Sequence, residues 1–329
     1  MQVRTTDCFE LASIHKNMKF FKKYICTFCL TLIFISINSN AQTESADGLI
    51  FKIRNQDNTK NLMLIGSVHF GYSKLDNIGI KLAKQMHPFC TKFVDETTVD
   101  TSMLESKFAE KIPLTLAEDI LTENNINDVY ILLKKKYGNA LKIFEADSES
   151  KIKKLPISSL TMLLLTSIDI TGMPKSIGTS LDQIFKDVAK LKNENIKNLE
   201  MRHAIKEHYQ SIPNDDYLSL VNGLIQLAND KNKQEILGQH GTEALNQLVI
   251  GNVDLVNQEF IKSYSLSLNI SPQIIEKFFL GRDTHITDRI ETFIKTTENY
   301  CVAVGSAHLG GENGILKKLR SRNYKVEKL

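Results

Sequence analysis

Two short segments near opposite ends of the chain share one form, and that form limits the fold more than any other feature. Leu62-Met63-Leu64-Ile65 runs into Gly66-Ser67-Val68-His69, and Cys301-Val302-Ala303-Val304 runs into Gly305-Ser306-Ala307-His308. Each is an apolar run of strand length followed by Gly-Ser-x-His. Glycine at the strand end removes the Cβ that a sharp exit would strike. The histidine is then delivered at the carboxyl end of its strand, the edge where open α/β sheets receive ligands. The two histidines are 239 positions apart in sequence. They meet in one crevice only if both chain ends build one sheet and the residues between them fold as an excursion.

The rest of the sequence fits that requirement. Leu49–Arg54 and Asn61–Ile65 read as an opening hairpin around the turn-rich Asn55-Gln56-Asp57-Asn58. Lys92–Asp95, Ile196–Leu199, Tyr300–Val304 and Tyr324–Glu327 read as further strands, the last at an edge. Helical spacing dominates 101–145, 156–166 and 201–298, with breaks at Pro113, Gly138, Pro213, Gly251 and Pro272. Ser180 opens another helix in the manner of a capping residue, and Gly314–Arg320 is a short one. No linker, repeat or low-complexity tract interrupts the chain. The expected fold is α/β: a central mixed sheet drawn from the two chain ends, with a large helical insertion or cap.

The first 41 residues are set apart. Met18-Lys19-Phe20-Phe21-Lys22-Lys23 is a basic start, Tyr24–Ile37 carries no charge, and Ser39-Asn40-Ala41 is a small-x-small cleavage site. This is the pattern of a secretory signal peptide, with Met18 as the expected true start and 42–329 as one mature domain. The apolar run is short of the ~20 residues that span a bilayer, so no stable membrane span is expected after cleavage. The formal net charge of +3 resides in this segment, which holds five of the 41 Lys+Arg and two of the 38 Asp+Glu. The remaining 288 residues carry 36 of each, a balance that points away from nucleic acid. Three of the five Cys also leave with it; Cys90 and Cys301 either pair in an oxidising compartment or stay as small buried hydrophobes.

A third strand end supplies a carboxylate, Asp95 or Glu96. Two imidazoles and a carboxylate suit a borderline divalent metal, which would lower the pKa of bound water to roughly 7. Without metal the same groups can run acid–base chemistry. Glu200, just beyond Ile196–Leu199, is a further strand-end acid. Arg282 and Arg289 flank His285 on a helix beginning near Asp283; by spacing alone they read as a solvated face. His203 and His208 do not share a helix face, and no metalloprotease helix motif, nucleophile elbow or P-loop is present. Lys134-Lys135-Lys136 reads as a solvated helix end.

These motifs resemble the TraB/GumN family, which is related to the Tiki-type proteases and distantly to the erythromycin esterases. The resemblance covers nearly all of the mature chain. It rests on Leu64-Ile65-Gly66-Ser67-Val68-His69, on Glu96, and on Val304-Gly305-Ser306-Ala307-His308-Leu309 with the Gly311, Gly314-Ile315-Leu316, Leu319 and Tyr324-Lys325-Val326 that follow. Ser180-Leu181-Asp182 and Leu199-Glu200 match less specific middle motifs. Asp283 stands where the family usually has Asn after the arginine, and the chain has no Trp where members commonly carry one in the helical region.

The resemblance implies one site made from His69, Glu96 and His308, metal-dependent in Tiki-like members, and it gives Arg282 a functional role. The expectation is an exported hydrolase, periplasmic or extracellular, that cleaves a peptide or ester bond. Mn, Co or Zn would be held at His69, Glu96 and His308, Arg282 would stabilise the oxyanion, and Glu200 completes the expected catalytic set. The alternatives are a non-catalytic protein that sequesters a peptide or small ligand in the same crevice, and a metal-free esterase.

Overall fold

The computed structural model describes residues 49–68, 72–96, 115–138, 148–168, 180–200 and 202–329. The expected signal peptide, the helical reading of 101–114 and 139–145 with its break at Pro113, and His69 all lie outside the described residues.

Six strands form one mixed sheet: β1 (Ile50–Arg54), β2 (Asn61–Ser67), β3 (Lys92–Asp95), β4 (Ile196–Asn198), β5 (Tyr300–Gly305) and β6 (Lys325–Lys328), in the order β4-β3-β5-β2-β1-β6. The first two strands form the expected antiparallel hairpin. Strands β4, β3, β5 and β2 run parallel, so their carboxyl ends share one edge. Registers Ser67↔Gly305, Asp95↔Ala303 and Asp95↔Asn198 bring the residues after each strand to nearly one level. The terminal strand β6 lies at the opposite side of the sheet, paired antiparallel to β1.

The inner strands bury both faces, as parallel strands covered by helices do. Met63, Ile65, Phe93, Cys301 and Ala303 point to one side, against α1 (Asp76–Phe89) and α5 (Leu181–Leu191). Leu62, Leu64, Val94, Val302 and Val304 point to the other, against α11 (Asp283–Ile294) and α12 (Ile315–Ser321). The cap has an apolar core of its own, built from α2 (Glu123–Tyr137), α3 (Ser148–Lys153), α4 (Ile157–Ser167), α7 (Asn214–Asn229) and the ends of neighbouring helices. The remaining cap helices are α6 (Arg202–Gln210), α8 (Lys231–Val249), α9 (Val253–Leu268) and α10 (Pro272–Ile275).

Local chemistry sets their limits. Ser180 accepts from the backbone N–H of Gln183 and opens α5 as expected. Thr122 and Asn125 cap α2 reciprocally, and Gly138 ends it at φ +53°. Lys134, Lys135 and Lys136 are exposed on its last turn. Pro213 precedes α7, Gly251 separates α8 from α9, and Pro272 starts α10. A π-helical turn, Glu276–Leu280, follows α10 and leads to Gly281 and Arg282.

Cys90 and Cys301 form a disulfide across a Cα separation of 5.5 Å, the first of the two alternatives that their burial left open. It ties the end of α1 to β5 near the amino-terminal edge of the sheet, away from the histidine end. Among the described residues no helix is long and apolar enough to cross a membrane.

Candidate functional site

Four elements deliver five charged side chains to the carboxyl edge. Glu96 follows β3 directly, Glu200 follows β4, and His308 ends the 3₁₀ turn Ser306–His308 after β5. Arg282 and Asp283 come from the start of α11. Glu96, Glu200, Asp283 and His308 are each less than a tenth exposed, and the Arg282 side chain is only 13% exposed.

Arg282 is the hub. Its Nη2 donates to Glu96 Oε1 at 2.7 Å, and its Nη1 donates to Glu200. The same Nη2 lies 3.4 Å from His308 Nε2. Glu96 Oε2 accepts the backbone N–H of Gly305 at 2.7 Å. His308 Nε2 lies 3.5 Å from Glu96 Oε1, while Nδ1 meets Asp283 Oδ1 at 2.6 Å. A carboxylate only accepts, so Nδ1 carries the proton and Nε2 faces Glu96 and Arg282.

The energetics favour an internally balanced cluster. Burial alone would push the Glu96 carboxyl up; His308, Arg282 and the Gly305 N–H outweigh it and hold Glu96 well below the usual carboxylate range. Burial also opposes charge on His308, but Glu96 and Asp283 outweigh it and raise the imidazole to about 9. Burial likewise disfavours the charged guanidinium, and Glu96 and Glu200 more than restore it. Burial lifts Glu200 despite Arg282 beside it, and lifts Asp283 despite His308. Arg282 at a helix N-terminus is the wrong sign for the helix dipole, so its two carboxylates hold it there against that field, while Asp283 in the first turn suits the dipole.

Gly305 is needed for room rather than for a special backbone angle. Its φ is −49°, open to any residue, yet an added Cβ would stand 3.2 Å from Glu96 Oε2 and 3.3 Å from His308 Cδ2. The glycine of the motif thus lets the Glu96 carboxylate reach the backbone of β5.

The structure brings together Glu96, Glu200, Arg282 and His308, and His69 lies outside the described residues. Arg282 is buried in the cluster rather than solvated, as the family resemblance implied and spacing did not. Arg289 donates to the Leu199 carbonyl at 3.2 Å, bracing the strand end that carries Glu200, while His285 is exposed. Asp283 is the site residue that sequence reasoning missed; an acid in the first turn of a helix reads as a dipole partner, and only its neighbour Arg282 could have drawn attention to it. Asn257 of α9 donates to the Ala307 carbonyl at 2.7 Å and fixes the His308 turn against the cap. Beside this cluster a groove of about 780 Å³ runs between α9, the π-helical turn and the Gly311–Gly314 loop, and Asp283 lines it.

The family comparison matches residues 49–328, from the hairpin through the last strand. The chain belongs to the TraB/PrgY/gumN family. Comparison with curated proteins and with solved structures returns no match. For a TraB/PrgY/gumN chain with this arrangement, the donor set can be tested against the expected metal. The 3.5 Å between His308 Nε2 and Glu96 Oε1 would suit two ligands of one dication. Arg282 Nη2 stands beside that pair and already neutralises the Glu96 carboxylate. Among the described residues no group of three His, Cys, Asp or Glu is arranged to hold a metal ion. As placed, the described residues of this TraB/PrgY/gumN protein do not fit a divalent ion.

Proposed function

We propose that this protein is an exported hydrolase that cleaves a peptide or ester bond at the Glu96–Arg282–His308 cluster. The observation that carries the reading is the chain of contacts from Asp283 through His308 to Glu96 and Arg282. It gives one imidazole a fixed tautomer, a carboxylate facing its free nitrogen, and a cation beside both. In the deprotonated form, His308 Nε2 takes a proton from water as that water attacks the carbonyl carbon, and the resulting imidazolium returns the proton to the leaving group. Asp283 holds the ring in register and stabilises the imidazolium. Glu96, kept ionised, stabilises the same charge from the other side. Arg282 spends its terminal nitrogens on Glu96 and Glu200; its Nε, buried without a partner among the described residues, is the donor left for a developing oxyanion.

Every step runs through these side chains, with Arg282 supplying the positive charge beside Glu96 and His308. The groove that reaches Asp283 supports a peptide or small-molecule substrate, since ligands need a concave site with a few placed polar groups. Export is supported by the leader pattern ending at Ala41 and by the Cys90–Cys301 disulfide, a bond that persists in oxidising compartments. The balanced charge of 42–329 supports a partner other than nucleic acid.

The test is turnover of a panel of model esters and peptides by purified 42–329. Loss of a general acid–base group should cost about 10²–10⁴ in kcat/KM in His308→Ala, with a comparable loss in Glu96→Gln. Retention of a panel peptide with no turnover by the wild type would replace the hydrolase with the sequestering protein.

A further inference from the structure

The cluster holds three carboxylates, Glu96, Glu200 and Asp283, and two cationic groups, Arg282 and His308. All are buried, so every charge there must be matched locally. A divalent ion bridging His308 Nε2 and Glu96 Oε1 would lie about 2.0–2.2 Å from each. Arg282 Nη2, at 3.4 Å from the first and 2.7 Å from the second, puts a positive charge directly beside that space. A guanidinium there disfavours a dication, because like charges in a poorly screened interior repel.

We propose that Arg282 is the resident cation of this site: it supplies the positive charge a divalent ion would otherwise supply and so disfavours metal binding by Glu96, Glu200 and His308. With His308 protonated, the five groups sum to one negative charge. Removing the guanidinium leaves two negative charges and a gap facing two carboxylates and an imidazole. A divalent ion with a neutral His308 restores the original sum. The donor types, two carboxylates and one imidazole, suit zinc, manganese or cobalt. One side chain therefore decides whether the same scaffold works by organic acid–base chemistry or becomes a metal site. The assignment is read by metal uptake, so it stands or falls separately from hydrolysis.

Untagged wild type, Arg282→Lys and Arg282→Ala are each equilibrated with zinc, manganese or cobalt chloride, dialysed into metal-free buffer, and measured by elemental analysis and thermal melting. The wild type and Arg282→Lys, which keeps a cation, are expected to retain no ion. Arg282→Ala is expected to retain one ion per chain. Melted without the dialysis step, with free metal held about 100-fold above its Kd, its Tm should rise by roughly 5 °C. Adding His308→Ala should abolish both effects. Uncovering buried carboxylates is costly; if Arg282→Ala folds only with metal present, that rescue is the expected result. Arg282→His refills part of the gap, adds a ligand and should give the same count. The proposal is overturned if the wild type holds an ion that His308→Ala releases, or if neither Arg282→Ala nor Arg282→His takes one up.

Discussion

His308 is buried between Glu96 and Asp283, and both favour its charged form. The folded protein therefore holds a proton that the unfolded chain gives up above its ordinary value of about 6.5. Stability from this source is complete below that pH and falls as pH rises through about 9. Glu96 works in the opposite sense: its contribution is present above the usual carboxylate range and is lost only as pH falls through its depressed value. Melting curves taken from pH 6 to pH 10 should show Tm declining in the wild type, and His308→Gln should flatten that decline. Asp283→Asn, the residue the family usually has, keeps an acceptor for Nδ1 but removes the charge, so the decline should be smaller and end at lower pH. An unchanged profile in both variants would mean that His308 is not the titrating group. Glu96, Glu200 and His308 were legible because each follows a run read as a strand, and strand ends are where sheet chemistry collects. Arg282 and Asp283 were harder to read, since a helix start with mixed charges looks the same whether it faces water or a buried cluster.

The elements that aim Arg282 are the π-helical turn Glu276–Leu280 and the single glycine after it. Phe278 anchors that turn in the cap core, in ring contact with Tyr209, Tyr217 and Phe279. His208 lies across it, its Nε2 3.3 Å from the Phe278 carbonyl, and burial lowers its pKa toward the neutral form. A Cβ on Gly281 would stand 2.6 Å from both His208 Cε1 and the Lys277 carbonyl oxygen. Gly281→Ala should therefore displace the turn and carry Arg282 off its carboxylates. The expected cost is about 1–3 kcal/mol of stability, together with loss of ester or peptide turnover; unchanged turnover with unchanged Tm would show that the turn does not set Arg282. The sequence placed Pro272 as a break and read helix on both sides, which is what the backbone does. It carried no sign of the wider π turn between them, because one extra residue in a helical run leaves the apolar spacing almost intact. The strands were read closely, since alternation and turn residues bound them: Lys92–Asp95 agrees to the residue, and β5 runs one residue past Val304.

For the whole molecule, the two ends of the chain build most of the sheet, and β4 and the cap come from the stretch between them. That division could be read in advance because strand-like runs cluster at the ends and helical spacing fills the middle. The pairing order could not, since nothing local tells β5 to lie between β2 and β3. The same order gives Cys90 and Cys301 a covalent role that their spacing did not announce. They stand 211 positions apart in sequence and enclose nearly all of the cap in a single ring. A protease that nicks the ring once therefore cannot release a piece: both products stay joined through sulfur, and the sheet keeps β3 and β5 side by side. Limited digestion should give one band near full size on a non-reducing gel and two fragments after reduction. Fragments that separate without a reductant would show that the ring is open.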